Sequence, residues 1–378
     1  ALAAGDQRTH DMMVYLNDVA GTPECEFDVP VRDLPDNCRE IARDPNELFA
    51  KLDDWGVESV VIPHGTTWGI YTPPVSDWRK QLKSFHNPDR QNLVEVYSGH
   101  GNSERWIDNQ AWVENDKGER VCPDETASYL PGCQQAGKLI YQRCISEALG
   151  EQECQARANE AKHNFVNAGM AGHLTVPGAD IFTDWMDSAQ CRDCFLPAFN
   201  YRRRGSAQYI LAMTDFTNPD DPQRLNFGFI AASDNHSAKP GTGFKEQAFA
   251  SNTDARFYIK ALTSLARTDE EPIPQSVPLR QEDAPQSKTK EPERFNSFWY
   301  TGGLVAVHSN NRSRDAIWDA VQRKETYGTS GPRILLWFNL ISDEGTTPMG
   351  GTRETKSTPT FSVKAMGSLQ QKEGCPEF

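Results

Sequence analysis

The chain has 378 residues, with 39 Lys and Arg against 53 Asp and Glu, a formal net charge of −14 at pH 7. A surface that negative repels phosphate backbones, which argues against nucleic acid and anionic membrane as partners, and no apolar run approaches the ~18 residues of a membrane span. Hydrophobic residues at 37% and aromatics at 10% suffice for the core of one large α/β domain or two smaller ones.

Taken in chain order, the N-terminus ALAAGDQRTH has neither the basic nor the apolar region of an intact signal peptide. A leader already removed is compatible with it. His10 precedes a strand-like run, and Pro45–Trp55 has apolar residues at helical spacing, with Gly56 as its stop. VESVVIPHG then reads as a strand ending at His64, and LVEVYSGH as another ending at His100. Residues 115–200 differ in texture, being rich in Cys, Gln and Ala, with helical stretches near 134–150 and 153–169. GFIAASDNH is a third strand that surfaces at Asp234 and His236. Residues 267–294 are charged, rich in Pro and Gln, and nearly free of large apolar groups, so an exposed, mobile excursion is expected. GGLVAVHSN ends a fourth strand at His308 and leads into a helix over 313–328. RILLWFNL (333–340) is a fifth strand, and TPTFSVKAMG (358–367) alternates as a half-exposed strand does.

Nine cysteines are present. Clustered cysteines in a loop-rich insert fit disulfides formed in an oxidising compartment, with Cys25, Cys38, Cys122, Cys133, Cys144, Cys154, Cys191 and Cys194 as candidates and Cys375 left over. A structural zinc site at Cys191 and Cys194 is the alternative. The cysteine reading implies a periplasmic or secreted location.

Asp234 and His236 are the sharpest chemical signal. Alternate residues of an extended segment point the same way, so their carboxylate and imidazole can converge on one point. That pair suits Zn²⁺, Mn²⁺ or Fe²⁺. His64, between Pro63 and Gly65, is a further candidate ligand, and His10 another. His100 and His308 are candidate proton donors. Glu95 is a candidate for orienting a ligand histidine, and Arg312 for steering an anionic substrate. The plain alternatives are a capped turn at Asp234, packed histidines, a buried hydrogen-bonded Glu95 and surface arginines.

VVIPHGTTWG, LVEVYSGHGNSE, GFIAASDNHSAKPGTG and GGLVAVHSNNRSRDAIWDAVQRKETYGTSGPRI together resemble an uncharacterised family of exported bacterial proteins related to the PHP (polymerase and histidinol phosphatase) metallohydrolases. The resemblance implies an α/β fold, a PHP-type distorted (β/α)7 barrel over residues 1–341. It would carry the cysteine-rich insert, with a β-rich element beginning at 342–378. It also implies a cluster of divalent metal ions, often three in the family and two or three here, held by His10, His64, Asp234 and His236, and hydrolysis of a small, anionic phosphoester. PHP proteins open on a His-x-His motif, which occurs nowhere in this sequence, and the family continues beyond Phe378. The chain is therefore expected to lack N- and C-terminal segments of its own protein. A metallohydrolase of another ester or amide, and a non-catalytic exported binding protein on the same scaffold, are the alternatives.

Overall fold

The structure, a computed structural model, describes residues 7–63, 68–69, 77–82, 85–98, 101–102, 108–180, 183–185, 188–192, 198–202, 204–216, 218–232, 270–283 and 303–367. Its helices are α1 (Gln7–Gly21), α2 (Pro45–Trp55), α3 (Trp78–Leu82), α4 (Gly132–Ser146), α5 (Glu151–Ala168), α6 (Phe199–Arg202), α7 (Ala207–Ala212) and α8 (Arg314–Gln322). The strands are β1 (Trp68–Gly69), β2 (Leu93–Ser98), β3 (Gly101–Asn102), β4 (Val113–Glu114), β5 (Arg120–Val121), β6 (Thr214–Asp215), β7 (Gln223–Arg224) and β8 (Gly228–Ala231). They continue with β9 (Leu304–Val307), β10 (Thr326–Thr329), β11 (Leu335–Ser342), β12 (Gly345–Thr347) and β13 (Thr360–Met366).

Local chemistry explains several boundaries. Asp44 accepts the Glu47 N–H at 3.0 Å and Pro45 opens α2, while Gly56 ends it at φ +69°, a left-handed conformation that favours glycine. Ser313 caps α8 in the same way, through the Ala316 N–H. The helix ends at Gln322, and the chain turns at once into β10, so the helix expected over 313–328 is shorter and yields to a strand.

The expected closed barrel does not form among the described residues. The largest sheet has four strands in the order β1-β3-β2-β8, and only β2 and β8 in it are parallel. β9 pairs antiparallel with β10, and β11 lies antiparallel between β12 and β13. A barrel needs strand after strand in parallel with a helix between each. Here the chain between β2 and β8 builds a separate helical lobe instead. Val57–Pro63 makes no ladder; the Val61 N–H bonds to the Arg90 carbonyl at 2.8 Å, and Arg90 is in turn paired with Asp53. The run after His10 is helical rather than extended, being part of α1.

The helical lobe contains α4, α5 and the 3₁₀ turn Gly169–Thr175. Its core gathers Cys133, Ala136, Ile140, Ala161, Phe165 and Trp185, all buried. Gly172 lies against the Phe165 ring so closely that an added Cβ would come within 2.8 Å of it. Disulfides join Cys122 to Cys133 and Cys144 to Cys154, and a third joins Cys25 to Cys38 outside the lobe. Cys191 is also disulfide-bonded, which removes its thiolate from the alternative zinc site. Cys194 and Cys375 lie outside the described residues. A second core forms where Trp78, Leu82, Val94, Val96, Ile210 and Phe227 meet, beneath β2.

Within the excursion expected over 267–294, residues 270–283 are described, and most of them are exposed. They form neither α-helix nor strand, end in a 3₁₀ turn at Gln281–Asp283 and dock on the helical lobe. Prolines at 272, 274 and 278 lack the N–H that would need a partner, and lobe side chains bind the carbonyls instead.

Candidate functional site

β2 is the spine of the candidate site. Leu93, Val94 and Val96 are buried, so the strand is covered on both faces, as a parallel sheet strand is. Glu95 sits among them, 3% exposed. A carboxylate at that depth is tolerated only with donors or a cation nearby. Glu95 pairs in register with Ile230, and the register shifts between Glu95 and Tyr97, which places an irregularity of the bulge type in β2 next to it. Such bulges re-aim side chains at strand ends and adjoin active sites more often than chance.

β2 and β8 run parallel, so their carboxyl ends lie side by side. The Ala232 N–H bonds to the Tyr97 carbonyl at 2.8 Å, and the Gly303 N–H to the Ala232 carbonyl at 2.6 Å. The chain therefore leaves the sheet at Ala232 and re-enters it at Gly303, at one point. His100 follows the end of β2 by two positions; Asp234 and His236 follow the end of β8 by three and five. His64, His100, Asp234 and His236 themselves lie outside the described residues. Ligand sites in open α/β sheets form at this edge, beyond the carboxyl ends of parallel strands.

His10 is on α1, with a side chain 72% exposed and its Nδ1 3.6 Å from the Asp11 carboxylate. His308 is placed differently from the sequence expectation. β10 runs alongside β8, with the Thr326 hydroxyl on the Phe229 carbonyl and Gly328 against Ala231. β9 is antiparallel to β10, so it starts beside Ala232 and runs away from the carboxyl edge. His308 ends it with its N–H on the Glu325 carbonyl, roughly 16 Å from Gly303 at ~3.3 Å per residue. Its Nε2 is 2.8 Å from the Leu336 carbonyl oxygen, and its ring packs between Tyr327 and Trp337. His308 thus ends β9 away from the carboxyl ends of β2 and β8, with its ring against Tyr327 and Trp337. Arg312 is exposed on the same far side, just before α8. Among the described residues, no three His, Cys, Asp or Glu side chains group as metal ligands.

Residues 196–373 match the family described as "Protein of unknown function (DUF3604)". The match contains β6 to β13, Asp234 and His236, and leaves α4 and α5 outside it. A 64-residue stretch, 17% of the chain, is 38% identical to an uncharacterized protein of Chlamydia pneumoniae. The chain spans about a tenth of that relative's length, the aligned part being 10% of it. No solved structure matches the chain.

Sequence reasoning missed the side chains that dock residues 270–283, namely Arg143, Arg157 and Asn164. The signal was present in the alternating prolines at 272 and 274, which disfavour helix and leave carbonyls to be satisfied from outside. The disulfides, the lack of a described helix long and apolar enough to cross a membrane, and the lobe's helices agree with what the sequence led one to expect.

Proposed function

We propose that the chain belongs to a metal-dependent hydrolase of phosphoesters, related to the PHP metallohydrolases and exported to an oxidising compartment. The observation that carries this reading is the parallel pairing of β2 with β8. It brings to one edge the two strands that lead into His100 and into Asp234-x-His236. The donor set of His64, Asp234 and His236, two imidazoles and a carboxylate, suits zinc, manganese or iron. The bound metal would supply a water acidic enough to be hydroxide near neutral pH. Asp234 and His236 would hold and orient the ion, Glu95, buried in β2, would position a neighbouring group, and His100 would donate the proton to the leaving group. Three disulfides support the exported location, since such bonds persist outside the reducing cytosol.

The test is hydrolysis of p-nitrophenyl phosphate and of bis-p-nitrophenyl phosphate by the full chain. Turnover abolished by a chelator and restored by Mn²⁺ or Zn²⁺ is expected, with His236→Ala inactive. Turnover indifferent to chelator, or retained by His236→Ala, refutes the assignment.

A further inference from the structure

Residues 270–283 are held as a peptide ligand is held. Arg143 Nη1 donates to the Pro177 carbonyl at 2.6 Å and to the Ile273 carbonyl at 3.3 Å. Arg157 Nη1 donates to the Pro274 carbonyl at 3.1 Å. The Val277 N–H donates to the Thr175 carbonyl at 2.8 Å. Ser276, 3% exposed, receives the Asn164 Nδ2–H on its hydroxyl at 2.7 Å. Ile273 and Val277 remain exposed, so recognition is of the backbone and of one small hydroxyl. Gly178, at φ +65°, leaves the space in which the strap crosses; a Cβ there would lie 2.5 Å from the Pro272 nitrogen and 2.6 Å from the Glu270 carbonyl oxygen.

A disulfide that does not involve the strap braces the groove. The buried disulfide Cys144–Cys154 fixes the end of α4 to the start of α5, one residue from Arg143 and three from Arg157. Preorganised donors lower the cost of binding a peptide. Proline suits such a ligand, because it stiffens the chain and spares unsatisfied N–H groups. The strap comes from the excursion that leaves at Ala232 and returns at Gly303. It is thus presented to the lobe as a tethered ligand at high effective concentration.

We propose that the groove between α4, α5 and the Gly169–Thr175 turn is a binding site for a non-helical, proline-containing peptide with a small hydroxyl residue at its centre. The chain's own residues 270–283 occupy it in cis, and it accepts the same sequence in trans once the strap is removed.

The test uses the full chain with residues 271–278 replaced by Gly and Ser, and a fluorescent peptide of sequence 269–283. Anisotropy should show at least ~10-fold tighter binding to the replaced chain than to wild type, where the site is filled. A peptide carrying Ser276→Leu should bind at least ~10-fold more weakly, its side chain being too large for the buried position. No binding by a replaced chain that keeps its helical circular dichroism, equal binding to both chains, or indifference to Ser276→Leu overturns the proposal. Should the replaced chain fail to fold, hydrogen exchange in full-length Arg157→Ala decides. The Val277 amide should exchange at least ~10-fold faster while α5 amides are unchanged, and unchanged Val277 protection is the contrary result.

Discussion

Removing the Cys144–Cys154 disulfide tests how the helical lobe is held together. The bond closes a loop of sequence separation 10, and both cysteines are fully buried. The chain-entropy relation gives an unfolded-state entropy loss worth ~2.7 kcal/mol at 25 °C for a loop of about ten residues. Replacing both residues by alanine avoids burying two new hydroxyls, so the entropic contribution dominates. Urea unfolding of Cys144→Ala/Cys154→Ala, followed by tryptophan fluorescence of Trp185 in the same core, should show a loss of about 2–4 kcal/mol. Thiol titration of the unfolded, unreduced wild type should show neither cysteine free. A loss below about 1 kcal/mol, or titration of either thiol, refutes the reasoning, because the helices would then be joined by packing alone.

Other expectations follow from single contacts. Gly172→Ala should cost about 1–3 kcal/mol by overpacking, because the Phe165 ring it would meet is buried and packs against Trp185; Gly21→Ala, with nothing within 4 Å, should be close to neutral in the same melt. His86 is depressed below the ordinary imidazole value by burial, an effect partly offset by its hydrogen bond to Gln91. The folded state therefore binds its proton less readily than the unfolded one, so the contribution is full above the unfolded pKa of about 6.5 and lost as pH falls through it. Urea midpoints between pH 5 and 7.5 should fall toward acid in wild type and fall less in His86→Phe; identical slopes would contradict the burial argument.

Much of the framework was legible because it depends on short-range signals. Pro45 and Gly56 bracket α2 through cap chemistry that a sequence displays directly, and the apolar runs at 93–98 and 304–307 fixed two strands. The cysteine cluster pointed to disulfides but not to their pairing, which depends on how α4 and α5 cross. What failed was long-range. β9 runs antiparallel to β10 in a two-stranded sheet of its own, and that reversal puts His308 beside Glu325 rather than beside the ends of β2 and β8. Direction of a strand within a sheet leaves no local trace. How the strap is held was not legible for a related reason. Its composition lacks apolar groups for a core of its own, yet it is stabilised by arginines more than a hundred positions away in sequence. Glu95 was legible as an oddity, a carboxylate inside an apolar strand, and its burial in β2 agrees with that reading.

Metal content tests the central claim most directly. Purified full-length chain, dialysed against metal-free buffer and measured by inductively coupled plasma mass spectrometry, should carry zinc, manganese or iron at one or more equivalents. Asp234→Asn with His236→Ala should lose it while keeping the wild-type circular dichroism. A wild-type chain that binds no divalent metal, or a double variant that retains the full complement, would contradict the assignment of these residues as ligands.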